Sequence, residues 1–252
     1  MRLCFAAVVG LLAGCAHGQR VTHLDKVTVT TVRRNHNNVH VVQTAAGMLL
    51  VDAGLERDAP ALDAQLRRAG VDPADLKLIV ITHAHADHAG GAMWFKTRYG
   101  TPIMAGAADV GPLSLGQNEP LCPIGRIAQS RLDTDQNETW PGTQPDRLVS
   151  RDGTAHLGDF GFDMLVHNVA GHTPGSLVLY AGDALVVGDL VRGRIVGHRP
   201  HRHFYMCDVP DNDADIRTLL EATATPDTQV FVGHFGPLDG AQLGRWVADA
   251  AP

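Results

Sequence analysis

The sequence predicts an α/β domain, and three observations carry that expectation. Short apolar runs rich in β-branched residues, such as Val39 to Val42, Leu78 to Ile81 and Val230 to Val232, recur along the chain between Gly, Asn and Asp residues, which is the pattern of strands. Stretches with helical spacing separate them, the first carrying Leu62, Leu66 and Ala69. Several runs then stop at a histidine or aspartate flanked by glycine or alanine. Open sheets gather ligands at such strand ends, where loops converge and the next helix begins.

Residues 1–14 stand apart from this pattern. Met1-Arg2 is a short positive segment, Leu3 to Leu12 is apolar, and Leu12-Ala13-Gly14-Cys15 closes the stretch with small residues. That is a secretory signal, too short to cross a bilayer as a mature helix. Its ending resembles the lipobox of bacterial lipoproteins, which implies cleavage before Cys15, lipidation of Cys15, and an address in the bacterial cell envelope, facing the periplasm or the exterior. Ordinary secretion with cleavage elsewhere is the alternative. Residues 15–26 then read as the lipidated N-terminus and a polar tether, and residues 27–252 as the folded domain.

Cys4 leaves with the signal, so Cys122 and Cys207 are the thiols of the domain. In an oxidising compartment they pair or stay free, and their separation in sequence does not choose. The formal charge is −6 and no basic tract appears, which argues against a nucleic-acid partner held through its phosphates.

In chain order, Val27 to Val32, Val39 to Val42 and Met48 to Val51 predict an opening antiparallel set of strands, with turns at Arg34 to Asn38 and near Gly47. The third run ends at Asp52-Ala53-Gly54. Asp58-Ala59-Pro60 starts a helix that Gly70 closes, with proline near its start and glycine past its end. A strand over Leu76 to Ile81 follows, then a helix from His88 to about Tyr99. A short strand lies near Ile103, after which residues 106–146 lose periodicity and fill with Gly, Pro, Gln, Asn and Asp; a loop this long reads as a substrate-side insertion or a peripheral excursion. Strand-like runs resume through Val169, and Leu177 to Val187 form a hairpin turning at Asp183. Asp211 to Ala222 and Leu238 to Ala250 have the spacing of two amphipathic covering helices.

The chemistry concentrates at His83-Ala84-His85-Ala86-Asp87-His88, directly after the apolar run and before Gly90-Gly91. Three imidazoles and a carboxylate separated only by alanines supply the nitrogen and oxygen donors that Zn²⁺ takes. Three later strand ends deliver further donors: His172 in Gly171-His172-Thr173-Pro174-Gly175, Asp189 after Gly188, and His234 after Gly233. Asp52 is placed to hydrogen-bond a ligand histidine and fix its tautomer.

A strand-end Asp, a His-x-His-x-Asp-His cluster, then a lone His, a lone Asp and a lone His, in that order, resemble the metallo-β-lactamase superfamily over roughly residues 27–250. The resemblance implies an αββα four-layer sandwich, in which two mixed β-sheets are flanked by helices. It implies one divalent metal, most often Zn²⁺, held by His83, His85 and His172, and a second held by Asp87, His88 and His234, with Asp189 bridging them. It implies a hydroxide between the two ions as nucleophile, near neutral pH because bound zinc acidifies water, and Asp87 as the residue that orients it or passes its proton on.

The substrate is expected to be a small molecule. The β-lactamases of the superfamily carry Cys or Ser where Asp189 stands, so the resemblance points to the ester, thioester and lactone hydrolases, among them the glyoxalase II and lactonase branches. A periplasmic β-lactam hydrolase is the alternative. An iron-dependent dioxygenase or a non-catalytic metal-binding lipoprotein fits the seven donors less well. Four arginines, Arg192, Arg194, Arg199 and Arg202, follow Asp189. Arg199, Arg202 and Tyr205 are candidate substrate contacts at the mouth, with Phe204 as apolar wall; a solvated loop is the other reading.

Overall fold

The computed structural model describes residues 17–249 apart from 198, 224 and 226, so the stretch expected to be a signal and the expected lipidation site Cys15 lie outside the described residues. Strands β1 (His17–His23), β2 (Thr28–Arg34), β3 (Asn37–Thr44) and β4 (Gly47–Val51) form an antiparallel meander. Strands β5 (Leu76–Val80), β6 (Ile103–Gly106) and β7 (Arg147–Val149) add to it in parallel, giving a seven-stranded sheet in sequence order. The parallel connections need crossovers. These are helix α1 (Ala59–Arg68), the pair α2 (Ala86–Ala89) and α3 (Ala92–Tyr99), and the pair α4 (Val110–Leu115) and α5 (Gly125–Gln136).

The second half builds β8 (Thr154–His156), β9 (Leu165–Asn168), β10 (Leu177–Ala181) and β11 (Ala184–Gly188), then a two-stranded ribbon of β12 (Arg192–Gly193) and β13 (Pro200–His201). Helix α6 (Val209–Thr223), strands β14 (Gln229–Val232) and β15 (Leu238–Asp239), and helix α7 (Gly240–Asp249) complete the chain. The six-stranded sheet has the order β15-β14-β11-β10-β9-β8, mixed because β14 runs parallel to β11.

Three apolar layers make this a sandwich. Leu78 and Val80 of β5, with Leu49 and Val51 of β4, meet Leu177, Leu179, Val186 and Phe231 of the other sheet. On the outer face of the first sheet Ile79 and Ile81 pack with Leu62, Leu66 and Phe95 of the helices. On the outer face of the second, Val178, Leu185 and Val187 pack with Ile216, Leu219, Leu243 and Val247. Strands buried on both faces read as continuous apolar runs, and each such side chain withdrawn from water contributes about 1.5–3 kcal/mol. The αββα expectation is therefore met.

Three expectations differ from what folds. The segment 17–23, taken as tether, is β1, paired residue for residue with β2 along its whole length. Its polar composition is that of an exposed sheet edge, where charged and polar residues keep the strand from pairing onward. The helix expected from His88 to Tyr99 is broken into α2 and α3, because Gly90 and Gly91 lie so close to the backbone of Ala53, Gly54, Ala86 and Glu56 that a Cβ would collide. Residues 106–146 are not structureless: α4 and α5 lie within them. Only Ala128 of α5 is buried, and an exposed helix knit by pairs such as Arg131 with Asp135 shows little apolar period.

Cys122 and Cys207 form a disulfide with Cα atoms 4.9 Å apart. It joins the insertion to the segment after β13, as do the hydrogen bonds from Ile124 N–H to Phe204 O and from Met206 N–H to Cys122 O.

Candidate metal centre

The C-terminal ends of β4, β5, β11 and β14, with the turn between β9 and β10, converge at one edge of the sandwich. Asp52 follows β4, His83 to His88 follow β5, His172 lies in the turn, Asp189 follows β11 and His234 follows β14. All five histidines and Asp189 are buried, and Asp87 alone keeps about a third of its side chain exposed (35%). Donor atoms group as His83, His85 and His172, as Asp87, His88 and His234, and as His83, His88 and Asp189. The structure thus brings together all seven residues that the sequence offers as candidate ligands.

Hydrogen bonds fix which nitrogen of His83, His88 and His234 points inward. Asp52 Oδ1 accepts the Thr82 N–H at 2.7 Å and Oδ2 accepts the Thr82 hydroxyl at 2.9 Å. The His88 Nδ1–H donates to the same Oδ2 at 2.7 Å, which leaves Nε2 as the nitrogen turned into the cluster. With its proton given to Asp52, the Thr82 oxygen accepts from His83 Nδ1 at 3.0 Å, so His83 Nε2 is turned inward as well. One carboxylate therefore orients a histidine of each group. His234 Nδ1–H donates to His36 O at 3.0 Å. Asp52 holds φ +64°, a left-handed conformation that aspartate tolerates better than most residues.

The inward nitrogens face one another. His172 Nε2 and His85 Nδ1 are 3.2 Å apart, and His88 Nε2 and His234 Nε2 are 3.4 Å apart. Two ligands on a tetrahedral zinc at 2.0–2.1 Å lie about 3.3 Å from each other. His83 Nε2 and both Asp189 oxygens are buried with no hydrogen-bond partner, which is costly unless a cation satisfies them. The donor set fits divalent metal.

The electrostatics agree. Burial, reinforced by the neighbouring imidazoles, holds His83 and His172 well below the ordinary histidine range and brings His85 down to about 4; neutral imidazole is the form that binds metal. Burial also works against charge on His88 and His234, but Asp189 and Asp87 outweigh it, holding His88 well above the usual value and raising His234 to about 10. Burial would raise Asp87, yet His88 and His234 bring its pKa well below the carboxylate range. The same carboxylates attract a divalent ion in competition with those protons. Gly233 has no room for a Cβ, which would meet the Asp189 carboxylate and the His88 ring.

A cavity of about 470 Å³ opens onto the cluster, lined at its base by His85, Asp87, His203 and His234. Leu55, Leu121, Ile127, Ile195, Phe204 and Phe235 supply its apolar walls. The lining arginines are already paired, Arg57 with Glu138 and Arg131 with Asp135. Tyr205 lines the cavity as expected, its hydroxyl donating to Asp135 at 2.7 Å. Arg199 and Arg202 do not line it. Arg202 pairs with Asp213 at 2.5 Å and lies over Trp246, and Arg199 is exposed; α6 and α7 supply the partners that draw Arg202 away. Arg192 is buried with its guanidinium 3.9 Å from the Phe204 ring centre.

Sequence reasoning missed two residues here. Asp109 is buried (1% exposed), taking the Ala84 N–H at 2.9 Å, the Thr173 hydroxyl at 2.8 Å and the Gly175 N–H at 2.7 Å. It ties the His83–His85 loop to the His172 turn. His203 sits against Asp189. Neither has a local motif: Asp109 follows the short β6 within the aperiodic insertion, and His203 follows the two-residue β13 in a run of arginines and histidines.

Comparison with known proteins agrees with this geometry. The Metallo-beta-lactamase superfamily model matches residues 32–234. The chain is 23% identical over 225 residues to the probable metallo-hydrolase YflN of Bacillus subtilis, covering 81% of this chain and 82% of that one. It is 26% identical over 229 residues to the acyl-coenzyme A thioesterase MBLAC2 of Gallus gallus, covering 84% and 76%. Among solved structures, a metallo-beta-lactamase of Cronobacter sakazakii with a HARLDQ motif superposes with a TM-score of 0.63 at 22% identity, covering 88% of this chain and 87% of that one. The chain belongs to the metallo-beta-lactamase superfamily, as a hydrolase whose His/Asp cluster can bind metal.

Proposed function

We propose that the protein is a two-zinc hydrolase that cleaves an ester, thioester or lactone. The observation that carries the two-metal reading is Asp189. Its Oδ2 lies 3.7 Å from His83 Nε2, 3.2 Å from His88 Nε2 and 3.2 Å from His234 Nε2, between the two donor groups and bonded to neither. His83, His85 and His172 would hold one ion and Asp87, His88 and His234 the other. Ions there would acidify a water and polarise an acyl carbonyl.

The chain's own groups set the rest. Asp87, ionised and open to the cavity, is placed to orient the attacking water or pass its proton on. The apolar walls accept an acyl chain or ring and exclude bulk water from the scissile bond. The insertion contributes Asn118, Leu121, Ile127, Ala128 and Arg131 to those walls, which supports its substrate-side role. Because both lining arginines are paired, the walls offer little to the carboxylate of a β-lactam, which favours the thioester and lactone readings over that alternative. One relative's name as an acyl-coenzyme A thioesterase points the same way.

We propose in addition the address expected from the sequence, a lipid anchor at Cys15 in the bacterial envelope. The Cys122–Cys207 disulfide supports it, since such bonds persist in oxidising compartments. Mass spectrometry of the mature N-terminus tests it, an unmodified N-terminus refuting it. For the activity, metal analysis and a panel of thioester, lactone and cephalosporin substrates are the test. Two zinc ions per chain, thioester or lactone turnover above cephalosporin, and loss of both metal and turnover in His85→Ala are expected. One ion per chain, or retained turnover in that variant, overturns the reading.

A further inference from the structure

We propose that His203 is an eighth metal-binding side chain, joining the centre from the cavity side through Nε2. The proposal rests on the two-metal reading above and extends its ligand set. His203 is buried (5% exposed), and its Nε2 lies 3.1 Å from Asp189 Oδ2. Its ring is 4.9 Å from that of His172 and is stacked on that of His234 at 5.1 Å. His172, Asp189 and His203 each place a donor atom within 4.8 Å of the others, as His83, His85 and His172 do.

Two details favour coordination over a simple hydrogen bond to Asp189. At 3.1 Å the two atoms are close enough for one, yet neither Asp189 oxygen has a hydrogen-bond partner. The Nε2 of His203 is therefore aimed beside the carboxylate, toward the space that the other inward nitrogens face. The second detail is the opposite nitrogen. His203 Nδ1 lies 3.2 Å from the Tyr205 carbonyl oxygen and 3.3 Å from the Tyr205 backbone nitrogen, so the Tyr205 backbone anchors the outer nitrogen in either tautomer and turns Nε2 toward the cluster; the tautomer that donates to the carbonyl is the one that would leave Nε2 free for a metal. The backbone that places it is clamped to the insertion by the Cys122–Cys207 bond, so the ring is presented on a fixed wall.

The test uses the full protein stripped of metal and reloaded with Co²⁺, read by NMR of ¹³C-labelled histidine. A coordinated imidazole is marked by the large contact shift that passes through the Co–N bond, which a nearby unbound ring does not receive, and the shifted rings are counted by that signature. Six shifted rings are expected in the wild type, from His83, His85, His88, His172, His203 and His234, and five in His203→Gln. Zinc affinity of that variant, measured against a competing chelator, is expected to fall at least tenfold. Five shifted rings in the wild type, all retained in the variant, overturn the assignment of His203 while leaving the centre intact. No shifted rings at all overturn the metal centre itself. The wild-type count decides even if glutamine at 203 prevents folding.

Discussion

Asp109→Asn is the sharpest probe of how the site is held. The side chain is nearly isosteric, so packing is preserved, but the acceptor pair becomes one carbonyl and one amide. Three donors converge on it: Ala84 N–H and the Thr173 hydroxyl on Oδ2, and Gly175 N–H on Oδ1. Whichever oxygen is replaced, a buried N–H faces an amide N–H. Loss of a hydrogen bond to a charged group costs about 1.5–3 kcal/mol, and an orphaned buried donor about 1–3 kcal/mol, so the variant should lose about 3–5 kcal/mol of unfolding free energy. The affected loops carry His83 and His85 on one side and His172 on the other, so zinc affinity should fall about 10–100-fold as well. Urea denaturation in chelator gives the first quantity and competition titration with zinc gives the second. An unfolding free energy within about 1 kcal/mol of wild type, with unchanged zinc affinity, would refute the claim that this carboxylate joins the two loops.

Other consequences are equally open to measurement. Asp52→Asn keeps the left-handed backbone but offers an amide to His88 Nδ1, so zinc content at limiting metal should drop, by about 10–100-fold in affinity; full retention would show that Asp52 does not set the tautomers. Arg202→Ala should leave KM for the true substrate unchanged and lower stability by about 1 kcal/mol, since it removes a partly exposed pair with Asp213 and a loose contact over Trp246. A raised KM would return that arginine to the substrate. Burial, with Asp109 adding to it, brings the Glu119 carboxyl up to about 7 from its ordinary 4.5. In that interval the folded chain binds the proton that the unfolded chain has lost, so this group's contribution to stability declines as pH rises from about 4.5 to 7. Glu119→Gln should therefore raise the melting temperature at pH 8 and change it little at pH 4, and the reverse order would refute the placement.

Much of the centre was legible because its donors sit at strand ends, where apolar runs stop abruptly and a glycine or alanine lets the chain turn. Asp52, the His83–His88 cluster, His172, Asp189 and His234 all announce themselves in this way. The apolar runs of β5 and β14 were legible for the same reason that they fold, burial on both faces. What lay hidden depends on contacts made across the chain. Asp109 is an ordinary aspartate until Ala84 and Gly175 aim their N–H groups at it. His203 cannot be told from its neighbour His201 by composition. Arg202 sits in a run of cations beside a metal ligand, but Asp213 and Trp246 claim it, and neither is adjacent in sequence. Strand β1 escaped notice because an edge strand has too few buried residues to show a period.

The Cys122–Cys207 bond divides the donors in a way that the cluster at 83–88 conceals. It spans 85 residues of chain, and within that loop lie His172, Asp189 and His203. Closing a loop of this size removes about 4–5 kcal/mol of conformational freedom from the unfolded chain, on the entropic account of cross-links. The donors that complete the centre thus come from a segment whose ensemble is narrowed before any metal arrives, whereas His83 to His88 and His234 come from outside it. Reduction would release that restriction selectively, widening the search of the late donors while leaving the early cluster as local as before.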